Sequence, residues 1–90
     1  MTSPPLLVQG TVLDAAGRPL AGARLMWLDS PQPMPDIAAL SGADGGFVLG
    51  VPVAGRYLLG CQADGFAPAQ ARIGVGPGGA KVTLRLKRRA

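Results

Sequence analysis

Residues 43–62 read ADGGFVLGVPVAGRYLLGCQ, and in this stretch two turn signals separate two runs of alternating apolar side chains. Ala43–Gly46 is typical of a tight turn, because Asp accepts hydrogen bonds from nearby backbone amides and Gly adopts positive φ. Pro52–Gly55 is a second turn. Alternation of period two on either side of such turns favours antiparallel β-structure. The two predicted strands are Phe47–Leu49 and Arg56–Gln62, and the second places Tyr57, Leu59 and Cys61 on one face.

The same alternation continues outward from this stretch in both directions and predicts five more strands. Gly76–Gly79 is predicted to close a hairpin between the last two. Seven short strands with a turn roughly every 8–12 residues predict an all-β fold, a seven-stranded antiparallel Greek-key sandwich. We expect residues 1–90 to be a single domain with its core at about 6–86, followed by a basic tail at 87–90 that frays. The further strands are Leu6–Leu13, Ala23–Asp29, a weak Ile37–Leu40, Ala69–Val75 and Ala80–Leu86.

The composition supports a folded core and narrows the chemistry that the chain can perform. Of 90 residues, 48% are hydrophobic and only 16% are charged, so part of the surface must be neutral or apolar. The chain contains no His, Glu or Asn. The usual general base and the commonest metal ligand are therefore missing. One cysteine, Cys61, excludes an internal disulfide and a thiolate zinc site, and we interpret it as a small buried hydrophobic residue.

Four motifs in a fixed order resemble carboxypeptidase regulatory-like domains. The opening, Gly10–Asp14 followed by Gly17–Ala23, is similar to the start of that family. Asp44–Leu49 resembles its "DG-x-F" element, Val53–Leu59 its "G-x-Y-x-L" element, and Asp64–Phe66 its "x-G-F" element. The resemblance implies a transthyretin-like (prealbumin-like) β-sandwich. It implies no particular reaction, because one fold carries many functions.

Enzymes with transthyretin-like or related β-sandwich folds need residues that this chain lacks. Hydroxyisourate hydrolases of similar fold rely on histidines and a C-terminal Tyr-Arg-Gly-Ser motif, and iron dioxygenases on a related sandwich need Tyr and His ligands. This chain has no His and ends Lys-Arg-Arg-Ala. Asp14, Asp44 and Asp64 stand in glycine-containing turns, which favours a role in the turns over acid–base catalysis or calcium binding. We therefore predict that the protein is not an enzyme and has no catalytic residues, metal ligands or cofactor.

Apolar residues on the outward faces of the predicted strands form the first candidate site. If Leu25 and Trp27 point inward, the alternation turns Met26 and Leu28 outward. A contiguous group of exposed apolar side chains marks a protein interface, and the low charge content favours such a group. The residues predicted to form this interface are Leu13, Met26, Leu28, Val48 and Leu58.

Cations gather late in the chain and form the second candidate site. Arg72, Lys81, Arg85 and Lys87 are predicted to line one basic face of the last hairpin. Such a face fits an acidic partner or nucleic acid, but lysine and arginine also protect edge strands from aggregation. No aromatic residues alternate with these cations, so the platform for base stacking is missing and nucleic acid is disfavoured.

These observations predict a non-catalytic structural or protein-binding module. It would be a scaffold or adaptor component of a larger assembly, such as a secretion or injection machine, and its partner would be another protein or a second copy. The alternative is a carbohydrate-binding module, for which an exposed Trp27 would be the platform. The chain has no signal-peptide pattern and no apolar run of ~20 residues. We therefore expect no membrane span, and a protein that is cytoplasmic or exported within a larger assembly.

Overall fold

A computed structural model of the chain describes residues 5–33 and 38–89. Every regular element in these ranges is a β-strand. No helix among the described residues is long and apolar enough to cross a membrane. The seven strands are β1 (Leu6–Asp14), β2 (Arg24–Asp29), β3 (Ala38–Leu40), β4 (Gly46–Val51), β5 (Gly55–Gln62), β6 (Ala69–Val75) and β7 (Ala80–Leu86).

The strands form two sheets. The three-stranded sheet has the order β4-β1-β7, and the four-stranded sheet has the order β3-β2-β5-β6. All pairs are antiparallel except β1 and β7, which run parallel with Val8 opposite Ala80 and Asp14 opposite Leu86. The predicted all-β sandwich is confirmed, and the parallel pairing of the first and last strands is the one departure from an antiparallel arrangement.

The core lies between the sheets and is formed by the residues of each strand whose side chains point inward. In β5 the inward residues Tyr57, Leu59 and Cys61 are buried, as the sequence predicts. Each fully buried Val, Leu, Ile or Phe side chain stabilises the fold by about 1.5–3 kcal/mol relative to exposure. The Tyr57 hydroxyl donates a 2.7 Å hydrogen bond to the carbonyl of Val53, so this polar tip is satisfied. The buried hydrophobic residues are Val8, Val12, Ala23, Leu25, Phe47, Leu49, Val51, Tyr57, Leu59, Cys61, Ile73, Val75, Leu84 and Leu86.

Gly10 is the one inward position of β1 where a side chain would not fit. It is paired with Phe47 on β4 and with Val82 on β7. A Cβ at this position would lie only 2.4 Å from Cζ of Phe47. The phenyl ring therefore occupies the space that a side chain on β1 would need.

The strand bounds match the sequence prediction closely, but one connection does not. β6 and β7 have the predicted limits, whereas Ile37, the predicted start of the third strand, lies outside the described residues. The predicted hairpin between β6 and β7 is wrong, because the two strands belong to different sheets. Gly76–Gly79 is still a tight turn, closed by a 3.0 Å hydrogen bond from the Gly79 amide to the Gly76 carbonyl. This turn carries the chain across the core.

The basic tail is attached to the sandwich, so the prediction that it frays is wrong for residues 87–89. The Ala67 amide donates to the Lys87 carbonyl at 2.8 Å, and the Arg89 amide donates to the Gly65 carbonyl at 3.0 Å. The Arg88 guanidinium lies 5.6 Å from the centre of the Phe66 ring, within the range of a cation–π contact. The tail therefore pairs with the β5–β6 connection.

Candidate functional site

The five predicted interface residues lie on two opposite outer faces of the sandwich. Met26 and Leu28 on β2 and Leu58 on β5 point outward from the four-stranded sheet. Leu13 on β1 and Val48 on β4 belong to the three-stranded sheet. All five point away from the core, but the structure does not bring them together into one surface.

The outer surface of the four-stranded sheet, here the four-stranded face, carries the more continuous apolar cluster. A β-bulge between Trp27 and Asp29 places Leu28 over the backbone of β5. A Cβ at Gly60 would lie 2.8 Å from Cδ1 of Leu28, so the leucine fills the space above that glycine. Leu28 itself stays 46% exposed. The absence of a side chain at Gly60 thus leaves room for an exposed leucine in the middle of the face.

The neighbours of Leu28 extend this cluster across the strands. Met26 is aligned with Gly60 on one side and with Ala38 of β3 on the other. Leu40, two residues beyond Ala38, is 66% exposed. Sequence reasoning missed Leu40 and Gly60. The alternation of β3 shows that Leu40 points outward, but nothing in the sequence reveals which strand lies beside it.

Three arginines stand around this apolar cluster. Arg24 pairs across the strands with Leu40, and Arg72 pairs with Leu58. Arg56 lies opposite Gly74 on β6. All three arginines are exposed. The four-stranded face therefore combines an apolar centre with a positively charged rim.

The outer surface of the three-stranded sheet, here the three-stranded face, is more polar. Leu7 is 46% exposed and Val48 is 57% exposed, but Gln9 lies between Val48 and Lys81 in the register. Leu13 is half-buried and is bridged to Pro19. The apolar residues of the three-stranded face thus lie among polar ones.

The four residues of the predicted basic face do not share a surface either. Lys81 and Arg85 are exposed on β7, in the three-stranded sheet. Arg72 is exposed on β6, in the four-stranded sheet. Lys87 follows the end of β7 in the segment that pairs with the β5–β6 connection. The prediction of one basic face depended on a β6–β7 hairpin that does not exist.

An apolar groove of about 580 Å³ runs beside β4. Trp27, Ala39 and Val48 line it, and Gln32 supplies an amide. Trp27 is half-buried, and its ring lies 5.1 Å from that of Tyr57 at an angle of 51°. The indole thus contacts Tyr57 of the core and also lines the groove.

The aspartates are engaged in turns, and the cysteine is enclosed. Asp14 accepts hydrogen bonds from the Arg18 and Ala16 amides, both at 2.9 Å, and the bond from Arg18 is the main reason that the pKa of this carboxyl is lowered. Asp44 accepts from the Gly46 amide at 2.8 Å. Burial raises the pKa of the Cys61 thiol. Within residues 5–33 and 38–89, no three His, Cys, Asp or Glu side chains are grouped as metal ligands.

Comparison with known proteins identifies a family and a set of similar folds. A family model described as carboxypeptidase regulatory-like domain matches residues 8–87. Comparison with curated proteins gave no match.

Solved structures with the same fold come from several kinds of protein. The dioxygenase domain of a dioxygenase–carbohydrate-binding protein fusion from Streptomyces sp. SirexAA-E aligns with a TM-score of 0.71 and 20% identity, over 97% of this chain and 82% of that one. The group B streptococcus pilus 2b backbone protein gives 0.77 and 14%, over 98% and 43%. A cohesin–X-dockerin complex from Acetivibrio cellulolyticus gives 0.69 and 14%, over 92% and 58%. This chain thus spans less than two thirds of the latter two chains, and identities this low establish the fold alone.

Proposed function

This chain belongs to the carboxypeptidase regulatory-like domain family, and on that premise we propose that it is a non-catalytic protein-binding module. The observation that carries the proposal is the four-stranded face, where Leu28 and Leu40 are exposed beside Met26 and Leu58. An apolar centre surrounded by a polar, solvent-accessible rim is the general anatomy of a protein interface. The three-stranded face lacks this arrangement.

The side-chain chemistry of the chain supports a binding role over catalysis. The sequence has no His and no Glu, which are the residues most often used as a general base. Asp14 and Asp44 are already engaged with backbone amides of their own turns, as turn-forming aspartates usually are.

The finer proposal is that the module is a scaffold or adaptor component of a larger assembly, such as a secretion or injection machine. Two of the similar structures are a pilus backbone protein and a cohesin–X-dockerin complex. Their names describe assemblies built from protein–protein contacts, and this supports the proposal as an analogy of fold.

Two matched variants test which face binds. Leu28 on the four-stranded face and Leu7 on the three-stranded face are both 46% exposed, so Leu28→Asp and Leu7→Asp place the same charge at equally accessible positions. Each tagged variant is used to capture proteins from the native lysate, beside the wild type, and bound proteins are identified by mass. Light scattering of the purified domain measures self-association.

We expect a specific protein, or a second copy of the chain, to be lost with Leu28→Asp and retained with Leu7→Asp. An interfacial leucine replaced by a buried, unpaired carboxylate costs about 2–5 kcal/mol of binding, which is enough to abolish capture. Loss with Leu7→Asp alone would assign binding to the three-stranded face. Equal capture by all three proteins would contradict a role for either leucine.

Carbohydrate binding is the alternative, and the groove beside Trp27 is the place where it would occur. Aromatic rings stack on sugar faces, and the indole borders an open groove. The lining is mostly apolar, however, and sugar hydroxyls need several polar partners. A titration of Trp27 fluorescence with soluble glycans tests this alternative, because saturable quenching would support it and an unchanged spectrum would oppose it.

A further inference from the structure

We infer that the partner of the four-stranded face presents a carboxylate side chain next to an apolar anchor, and that Arg56 and Arg72 bind this carboxylate. The inference rests on the proposed function, since it names the chemistry of the partner that the same face would bind. The observation that supports it is a hollow between the two arginines. This hollow lies beside the apolar cluster.

The hollow has a volume of about 300 Å³ and lies at the end of the face where Gly74 has no side chain. Arg56 is the cross-strand partner of Gly74, and Arg72 is two residues away along β6, so the two arginines line the gap from adjacent strands. A Cβ at Gly74 would meet no atom within 4 Å. The gap is therefore open space, which an incoming side chain can enter.

The apolar anchor site lies directly beside this hollow. Leu58 lines the hollow and is aligned with Arg72 on one side. On its other side it is aligned with Asp29, the residue after Leu28. A partner residue that covers Leu28 and Leu58 thus has the residue two positions along its chain within reach of the arginines, because these two side chains of an extended segment share a face about 7 Å apart.

The charges around the hollow leave it net positive. It contains two arginines and one acid, Asp29. The carboxylate of Asp29 accepts a hydrogen bond from the Ser30 amide at 2.9 Å. In the described part of the chain, the ion pair present joins Arg24 to Asp64 at 3.5 Å, and neither Arg56 nor Arg72 forms one.

A carboxylate fits this arrangement better than other anions or a nucleic acid. Arginine presents a planar fork of donors that matches the two oxygens of a carboxylate. The apolar centre beside the fork requires a partner with an apolar side chain, which a free inorganic anion does not have. No aromatic residue is placed on the described part of this face, so bases would find no stacking surface.

The experiment uses two capped peptides as probes, one in which leucine and glutamate occupy every second position in turn with serine between them, so that both can face the protein, and one with glutamine in place of each glutamate. Each is titrated into ¹⁵N-labelled protein, and amide shifts are followed by NMR. The test variant is Arg56→Gln/Arg72→Gln. The matched control is Lys81→Gln/Arg85→Gln, which removes the same charge from the three-stranded face.

We expect the glutamate peptide to shift amides of β2, β5 and β6 and to bind more tightly than the glutamine peptide. Two partly exposed charge pairs at up to about 1 kcal/mol each give a difference of roughly fivefold to thirtyfold in Kd. The difference should vanish in Arg56→Gln/Arg72→Gln and persist in Lys81→Gln/Arg85→Gln. It should also shrink at about 1 M salt, where the screening length falls to about 3 Å.

A second variant pair tests the hollow without removing an arginine. Gly74→Glu supplies an internal carboxylate at a position with open space, and Gly74→Gln adds nearly the same volume without charge. We expect Gly74→Glu to weaken binding of the glutamate peptide more than Gly74→Gln does. Equal effects of the two variants would overturn the role assigned to the arginines.

The outcomes separate this inference from the proposed function. Equal binding of both peptides at the four-stranded face would overturn the inference that the partner presents a carboxylate, and would leave that face as a docking surface. Shifts confined to the three-stranded face, or no shifts at all, would overturn the inference. If Leu28→Asp also leaves protein capture unchanged, the proposed function fails with it.

Discussion

Replacement of Gly10 by alanine tests the packing between the sheets with a single methyl group. The added Cβ would lie 2.4 Å from Cζ of Phe47 and 2.5 Å from the carbonyl oxygen of Val82. Carbon atoms pack at about 3.5–4.0 Å, so both neighbours would have to move by about 1 Å. The phenyl ring can tilt, but the carbonyl belongs to the β1–β7 ladder and can move only with its strand.

The expected cost follows from these two contacts. Overpacking a core by one methyl group typically costs about 1–3 kcal/mol, and the backbone contact places this site at the upper end. Alanine regains about 0.5–1 kcal/mol over glycine in a strand interior. We therefore expect a net loss of about 2 kcal/mol in the free energy of unfolding, which lowers the Tm of a domain this size by about 8–16 °C.

The assay is denaturant unfolding followed by Trp27 fluorescence, together with a thermal melt. Gly74→Ala is the matched control, because it adds the same methyl group to a strand glycine that meets no atom within 4 Å, and we expect a gain of about 0.5–1 kcal/mol from the alanine alone. Adding Phe47→Leu to Gly10→Ala should recover part of the loss, since it removes the ring contact and leaves the carbonyl contact. A Gly10→Ala protein as stable as Gly74→Ala would refute the proposed packing.

Three further predictions concern other parts of the core and the turns. Trp27→Ala should lower the free energy of unfolding by about 2–4 kcal/mol. This is toward the lower side of a full aromatic truncation, because the ring is half-buried. An unchanged melting curve would show that the indole adds nothing to the core. Cys61 should react with a thiol reagent many times more slowly in the folded than in the urea-unfolded protein, because burial raises its pKa and only the thiolate attacks; equal rates would place the thiol at the surface. The pKa of Asp14 is lowered on folding, so its contribution to stability is present above its unfolded value of about 3.9 and is lost as the pH falls through the folded value. Asp14→Ala should therefore be less stable than wild type at neutral pH, and the difference should shrink as the pH falls below about 3.9. A difference that stays constant with pH in urea titrations would contradict this linkage.

The strand positions were predictable because the alternation of apolar and polar residues is a local property of each strand. Ala69–Val75 and Ala80–Leu86 have the bounds that their alternation predicts, and the inward positions of the Tyr57 strand are those that the sequence indicates. Alternation reports which side of its own sheet a residue occupies. It says nothing about which strand lies beside it, so the β1–β7 pairing and the separation of β6 from β7 were not predictable.

The same limit applies to the candidate site. Met26, Leu28 and Leu58 were correctly predicted to point outward, but Leu13 and Val48 could not be assigned to the opposite face without knowledge of the sheet order. The hollow depends on the register that aligns Arg56 with Gly74. That register is set by the geometry of the short connection at residues 63–68, which the alternation within each strand does not reveal.

The parallel pairing of β1 and β7 determines how the domain responds to mechanical tension. Residues 6 and 86 lie at opposite ends of this pair, since Val8 is aligned with Ala80 and Asp14 with Leu86. A force that pulls the two ends of the chain apart therefore acts along the strands and perpendicular to their hydrogen bonds. All of these bonds share the load and must break nearly together, whereas an antiparallel hairpin pulled from its open end separates one bond at a time. Stretched within a longer chain or an assembly, the domain would resist extension until the whole β1–β7 ladder sheared.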